Sequence, residues 1–254
     1  MLQKNNNNIL VLAPHPDDEV VGACTIIKRG LKQGKSFYVF FLTNGVIKKT
    51  EMWFFLRKKN KENVKIRLNE MQKAVDSLGI KKYFLQDIPS RTLKENISTT
   101  LDKINSILKT LKIDTIMTPA YEGGHQDHDV ANFIASKFID KLDVYEFPEY
   151  NNFNKLSVSN TFIKKYGKEI KIILNDQEIF YKKKILNIYK SESRNLGHID
   201  CKKELYRKLI NYNYSKRPHN GILFYERFKF FSWHPRVDGT SPELICKILK
   251  NYKN

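Results

Sequence analysis

The sequence predicts an α/β protein built on a doubly wound, mostly parallel sheet with a C-terminal α+β extension. Three observations carry this expectation. Apolar runs of strand length alternate with segments of helical periodicity over residues 1–150. Two clusters of histidines and carboxylates stand directly after the first and fourth of those runs. Beyond Pro148 the alternation gives way to polar and mixed segments. Strands separated by helical segments imply βαβ units, right-handed crossovers and parallel pairing.

The elements follow in order. "NILVLAP" (8–14) reads as a buried strand, and residues 19–33 as a helix with apolar positions at Val20, Cys24, Ile27 and Leu31. "SFYVFFLTNG" (36–45) is a second strand ending in an Asn-Gly turn, and "VKIRLNEMQKAVDSLG" (64–79) a helix closed by Gly79. "KYFLQD" (82–87) is a short strand. Residues 94–112 are helical, "DTIMTPA" (114–120) is a strand, 128–140 a helix and "DVYEFPE" (143–149) a fifth strand. Together these form a Rossmann-like sheet, with an expected order 3-2-1-4-5. After a polar linker (151–160), residues 162–176 read as two short strands around Gly167, 176–190 as a helix and "GILFYERF" (221–228) as a strand. The expected division is an α/β core over 1–150 and an extension over 151–254 packed on it.

Composition narrows the class. The chain has 254 residues and is 41% hydrophobic, enough for a substantial core. No run approaches the length of a transmembrane helix, and "NNNN" at 5–8 sits in a polar tail without the pattern of a secretory signal. A soluble, cytoplasmic protein is expected. Cys24, Cys201 and Cys246 are odd in number and far apart, which argues against a disulfide framework and a thiolate metal site. The net charge of +18 is spread along the chain, so a solvated surface accounts for it best, and an anionic substrate would suit it. The rival from a different class, a basic nucleic-acid-binding protein on the same scaffold, has the charge as its only support.

In a sheet of order 3-2-1-4-5, strands one and four are neighbours at the switch point where ligands bind. "PHPDDE" (14–19) and "GGHQDH" (123–128) should therefore meet in space. His15 with Asp18 and His125 with His128 are i, i+3 pairs. Two imidazoles and one carboxylate make a facial set that suits a catalytic zinc with a position open for water, and a spare carboxylate can take that water's proton. The acidic residues alone could be explained as favouring a helix N-terminus, with Pro16 at its first position. That explanation leaves His15 and the second cluster unaccounted for.

"APHPDDE" followed by "GGHQDH" resembles the PIG-L/LmbE-like de-N-acetylases, zinc hydrolases that remove acetyl from N-acetylglucosamine-type conjugates. "RLNEMQKAVDSLGI" (67–80) and "FLQDIP" (84–89) match further segments of that family, and "YKSE" (189–192), "ELYR" (204–207) and "FYERF" (224–228) match weaker ones. One departure is "VVGACTI" (20–26) in place of the usual glycine-rich stretch, expected to reflect helix–sheet packing. The resemblance implies that His15, Asp18 and His128 hold zinc or another divalent metal. It implies Asp17 as general base, His125 as an imidazolium that stabilises the oxyanion, and Asp127 as the group that orients it. It places Arg67 near the sugar conjugate; a surface arginine paired with Glu70 is the plain alternative. Asp87, at the end of the third strand, and Glu122, just before the second motif, are the other candidate substrate contacts. The expected substrate is an amino-sugar conjugate, with another small amide or ester as the alternative.

Overall fold

The computed structural model describes residues 7–153, 157–231, 233–235 and 237–252. The polar tail at 1–6 and residues 154–156 of the predicted linker lie outside the described residues. The elements are β1 (Asn8–Ala13), α1 (Asp18–Lys32), β2 (Ser36–Phe41), α2 (Asn60–Leu78), β3 (Lys82–Leu85), α3 (Ile97–Leu111), β4 (Thr115–Pro119), α4 (Gln126–Ser136) and β5 (Asp143–Phe147). They continue with β6 (Tyr150–Asn151), β7 (Val158–Ser159), β8 (Ile170–Ile173), α5 (Asp176–Leu186), α6 (Ser193–Leu196), β9 (Lys203–Lys208) and α7 (Pro242–Asn251).

The main sheet has the order β3-β2-β1-β4-β5-β9-β8. The first five strands are parallel and stand in the predicted order 3-2-1-4-5. Two strands from the second half of the chain extend it, with β9 antiparallel to β5 (Glu146 opposite Arg207) and β8 antiparallel to β9. β1 lies at the centre, pairing Val11 with Val39 on one side and with Met117 on the other.

Side chains of a strand alternate between faces, so β1 feeds two cores. Ile9, Val11 and Ala13 pack with α1, α2 and α5, whereas Leu10 and Leu12 pack with α3, α4 and α7. Gly22 explains the departure at "VVGACTI". A Cβ there would overlap the Phe147 ring, so glycine lets α1 approach β5 closely. Gly79, at φ 81°, closes α2 as its spacing predicts.

Three expectations need correction. Pro16 precedes the N-cap position instead of opening the helix; Asp17 holds that position without a side-chain capping bond, and α1 begins at Asp18. The segment 221–228 is no strand; it forms a single 3₁₀ turn over Phe224–Glu226. Around Gly167 there is one strand, β8, where two were expected. β9 and α7 were not anticipated at all.

Candidate metal centre

The carboxyl ends of β1 and β4 lead directly into the N-termini of α1 and α4, and this brings the two polar clusters together. His15 lies in the β1–α1 turn; His125 is the N-cap of α4, extended at φ −147° and ψ 149°. All the cluster residues except His125 are buried. Gly124 permits the close approach of the chain, because a Cβ there would meet the Tyr150 carbonyl oxygen at 2.5 Å.

Three donor atoms form a nearly equilateral triangle. His15 Nδ1 and Asp18 Oδ2 are 3.3 Å apart, His128 Nε2 and Asp18 Oδ2 are 3.3 Å apart, and His128 Nε2 and His15 Nδ1 are 3.3 Å apart. A tetrahedral ion with bonds of about 2.0–2.1 Å has ligand–ligand edges of about 3.3–3.4 Å, so the donor set fits a divalent metal. The electrostatics agree. Burial disfavours charge on the imidazoles, yet Asp18 and Asp127 carry His15 up to about 9, and Asp18 and Glu149 carry His128 well above its usual value. Burial would raise Asp18, but His128 and His15 hold it well below the carboxylate range. The site draws positive charge to the point the triangle encloses.

Two wider donor groups overlap this triangle. Donor atoms of His15, His125 and His128 lie within 4.8 Å of one another, as do those of Asp18, His128 and Glu149. The three-histidine set is the weaker arrangement because His125 Nδ1 is already engaged, accepting from the Asp127 backbone N–H at 3.0 Å. Glu149 lies behind His128, with Oε2 3.0 Å from its Nδ1. A carboxylate in that place fixes the tautomer of a ligating imidazole. Neither Glu149 oxygen has an aligned hydrogen bond, and burial with Asp18 nearby pushes the carboxyl up to about 8.

Asp17 stands beside the triangle in a strained backbone, φ 133°. Such conformations persist where surrounding bonds impose them. Here Glu19 Oε2 accepts from the Asp17 N–H at 3.0 Å, and Tyr189 donates to Glu19 Oε1 at 2.6 Å. Arg67 Nη2 donates to Asp17 Oδ2 at 2.9 Å. Burial pushes the Asp17 carboxyl up to about 7 while Arg67 pulls against it.

On the other side, His15 Nε2 is 3.1 Å from Asp127 Oδ2. Asp127 also accepts from the backbone N–H groups of Arg91 (2.6 Å) and Leu93 (3.2 Å), while Ser90 Oγ lies 3.1 Å from His15 Nε2. Burial would raise Asp127, but the His15 hydrogen bond and charge, with the Arg91 N–H, hold it well below the carboxylate range. His125 moves the opposite way. Burial, then His15, push it well below its ordinary value, with Asp127 opposing. Accepting at Nδ1 leaves the ring neutral with its proton on Nε2. The sequence reading expected an imidazolium; the acceptor role of Nδ1 assigns a neutral donor instead.

The candidate substrate residues divide. Arg67 is buried and contacts Asp17, Glu192 and Ser191, and Glu70 turns to Ser191, so the surface Arg67–Glu70 pair does not form. Asp87 is exposed at the carboxyl end of the sheet and accepts from Asn44 Nδ2 at 2.9 Å. Glu122 turns elsewhere: its Oε1 accepts from the Ile163 N–H, and it lines a separate cavity of about 180 Å³ with Arg207 and Tyr212. Sequence reasoning missed Glu149, Ser90, Tyr189 and Tyr150, whose ring stands edge-on to His128 at 5.4 Å. For Glu149 a signal existed, since it directly follows the fifth strand at the ligand-binding end.

The family model described as PIG-L, GlcNAc-PI de-N-acetylase, matches residues 10–139. The chain belongs to this family. No curated protein sequence matches it. Among solved structures, a deacetylase of the teicoplanin biosynthesis pathway superposes with a TM-score of 0.64 at 13% identity, covering 80% of this chain and 98% of that one. The N,N'-diacetylchitobiose deacetylase from Pyrococcus horikoshii gives 0.56 at 18% identity, covering 81% and 84%. A 4-carboxy-2-hydroxymuconate hydratase from Pseudomonas putida gives 0.52 at 15% identity, covering 81% and 97%. These likenesses establish the fold; the hydratase shows that the fold alone does not select the reaction.

Proposed function

We propose that this PIG-L family member is a metal-dependent N-deacetylase, with zinc as the ion the donor set suits, acting on an N-acetylglucosamine-type conjugate. The observation that carries the reading is the 3.3 Å triangle of His15, Asp18 and His128 with Asp17 alongside. Those three residues would hold the metal, which when bound supplies Lewis acidity and a water of lowered pKa.

Asp17 is the base. It takes a proton from the attacking water and passes one to the departing amine. Its carboxylate is presented by the Glu19 bond to its backbone and aimed by Arg67, so the sequence-level substrate candidate Arg67 becomes a positioning residue. His125 donates through Nε2–H to the oxygen that gains negative charge, and as a neutral ring it needs no change of protonation to do so. Asp127 holds both rings in place, His15 through its carboxylate and His125 through its backbone N–H to Nδ1. Asp87 is retained as a contact for sugar hydroxyls. The core over 1–150 supplies every reacting group, and the extension over 151–254 braces them through Tyr189, Ser191 and Glu192.

The test is acetate release by zinc-loaded protein from a panel of N-acetylglucosamine conjugates. Release that is abolished by chelation and restored by zinc is expected. Absence of acetate from every N-acetyl substrate, with turnover of an ester or hydration of an alkene acid instead, would contradict the reading.

A further inference from the structure

A group of exposed aromatic side chains has no part in the chemistry above. Phe230 is 98% exposed, Phe54 78%, Trp233 65%, Phe55 61% and Phe231 54%. They come from two segments far apart in sequence, one around Phe54 and Phe55 and one that carries Phe230, Phe231 and Trp233, yet form one patch. Trp53 lies 5.9 Å from Trp233 and 6.1 Å from Phe55, and Phe231 lies 6.3 Å from Trp233. Exposed apolar patches of this kind mark interaction sites.

Arg91 ties the patch to the rim of the metal centre. Its backbone N–H bonds to Asp127, while its guanidinium reaches Glu51 Oε2 and the Val237 carbonyl, each at 3.3 Å. Those two partners flank the two aromatic segments.

The charge around the rings is of one sign. In "KKTEMWFFLRKKNK" (48–61) six basic residues surround the aromatics, and the single acidic residue, Glu51, is paired with Arg91. Lys49, Arg57, Lys58, Lys59 and Lys61 are exposed. Lys229 sits between two exposed phenylalanines of the other segment. Protein–protein interfaces are depleted in lysine. Trp and Phe interspersed with lysines is the composition of a surface that lies at the headgroup level of a bilayer, with apolar rings inward and ammonium groups on phosphates. Among the described residues no helix is long and apolar enough to cross a membrane.

We propose that this patch docks the protein on an anionic lipid bilayer, bringing the rim of the metal centre to the membrane surface. The inference is independent of the reaction assigned to the site.

The chain's two tryptophans, Trp53 and Trp233, are both in the patch, so tryptophan emission, excited at the red edge beyond tyrosine absorption, reports on it alone. Full-length protein is titrated with vesicles of pure phosphatidylcholine and with equimolar phosphatidylcholine and phosphatidylglycerol, with co-sedimentation measured in parallel. A shift of emission to shorter wavelength and binding are expected on the anionic vesicles, weakened by salt. The exposed triple variant Phe54→Ser, Phe55→Ser, Phe230→Ser should lose on the order of 10²-fold in partitioning. Lys58→Gln and Lys59→Gln should each lose about fivefold on anionic vesicles only. The proposal is overturned if anionic vesicles leave emission and sedimentation unchanged, or if the triple variant partitions like the parent. It is equally overturned if single-stranded RNA, and not vesicles, produces the shift, or if the patch proves to mediate self-association that the triple variant abolishes.

Discussion

Two of the regions that bury charge in this molecule differ in how they hold it. Lys182 and Glu204 are both fully buried and pair at 2.8 Å. Glu204 also accepts from the Thr25 and Ile26 N–H groups, and Lys182 donates to the Val21 carbonyl, so the pair between α5 and β9 is closed and satisfied. At the ends of β1 and β4 the buried charges converge instead. Asp17 sits in a strained backbone, Glu149 stands behind His128, and three donors lie 3.3 Å apart around one point. Burial of charge by itself therefore does not mark function. What marks it is a set of donors from separate elements that the fold holds at the spacing one ion requires.

The largest effect that should separate the regions is on metal and turnover. Asp18→Ala removes one corner of the triangle and should lose both the metal and at least about 10³-fold in kcat. Asp17→Asn should keep a full equivalent of metal while losing about 10²–10⁴-fold in turnover, because only the base is gone. Metal analysis beside acetate release reads both; a metal-free Asp17→Asn protein would show the two roles reversed.

The closed region should respond in stability instead. Glu204→Gln leaves Lys182 charged and buried, at a cost of about 3–5 kcal/mol in reversible denaturation. The turnover of the folded fraction should match the parent. A stable but inactive Glu204→Gln protein would erase the distinction drawn above.

Next in size is His125→Ala, expected to lower kcat by about 10²–10³-fold with metal content unchanged. Because its ring is set neutral by the Asp127 N–H, the alkaline limb of the kcat/KM profile should survive the substitution. Loss of that limb would restore the imidazolium role.

The smallest effect concerns Glu122, buried in the separate cavity with its Oε2 unpartnered. Burial pushes its carboxyl up to about 8. The folded state thus holds a proton that the unfolded chain releases near 4.5, so this group's contribution to stability is complete below about pH 4.5 and is lost as pH rises to about 8. Glu122→Gln escapes that loss and should gain up to a few kcal/mol over the parent at pH 8 while matching it at pH 4. A constant difference across that range would mean that Glu122 does not titrate there.

Most of the parallel half of the fold was legible, because β1, β2 and β4 are continuous apolar runs with helical segments between them. The second half was less so, for physical reasons. β9 carries Glu204 and Arg207, whose charges are cancelled only by distant partners, Lys182 and Glu146. A local reading sees them as exposed. Conversely "GILFYERF" buries Leu223 and Tyr225, two residues apart, which imitates a strand although the segment makes one 3₁₀ turn against Gly123. α7 did announce itself, with Ser241 as N-cap and Pro242 behind it, and was overlooked. At the site, the motif residues were legible because their spacing is local. Ser90 and Tyr189 were not, since each arrives from a different part of the chain, while Glu149 offered only its place just after the fifth strand.

The central claim is that His15, Asp18 and His128 share one ion. X-ray absorption at the zinc edge of the zinc-loaded protein tests it most directly, because multiple scattering counts imidazoles. Two imidazole nitrogens and a carboxylate oxygen at about 2.0–2.2 Å are expected. Three imidazoles would bring His125 into the ligand set and release Asp18 from it, and none would remove the metal from this cluster; either result contradicts the account.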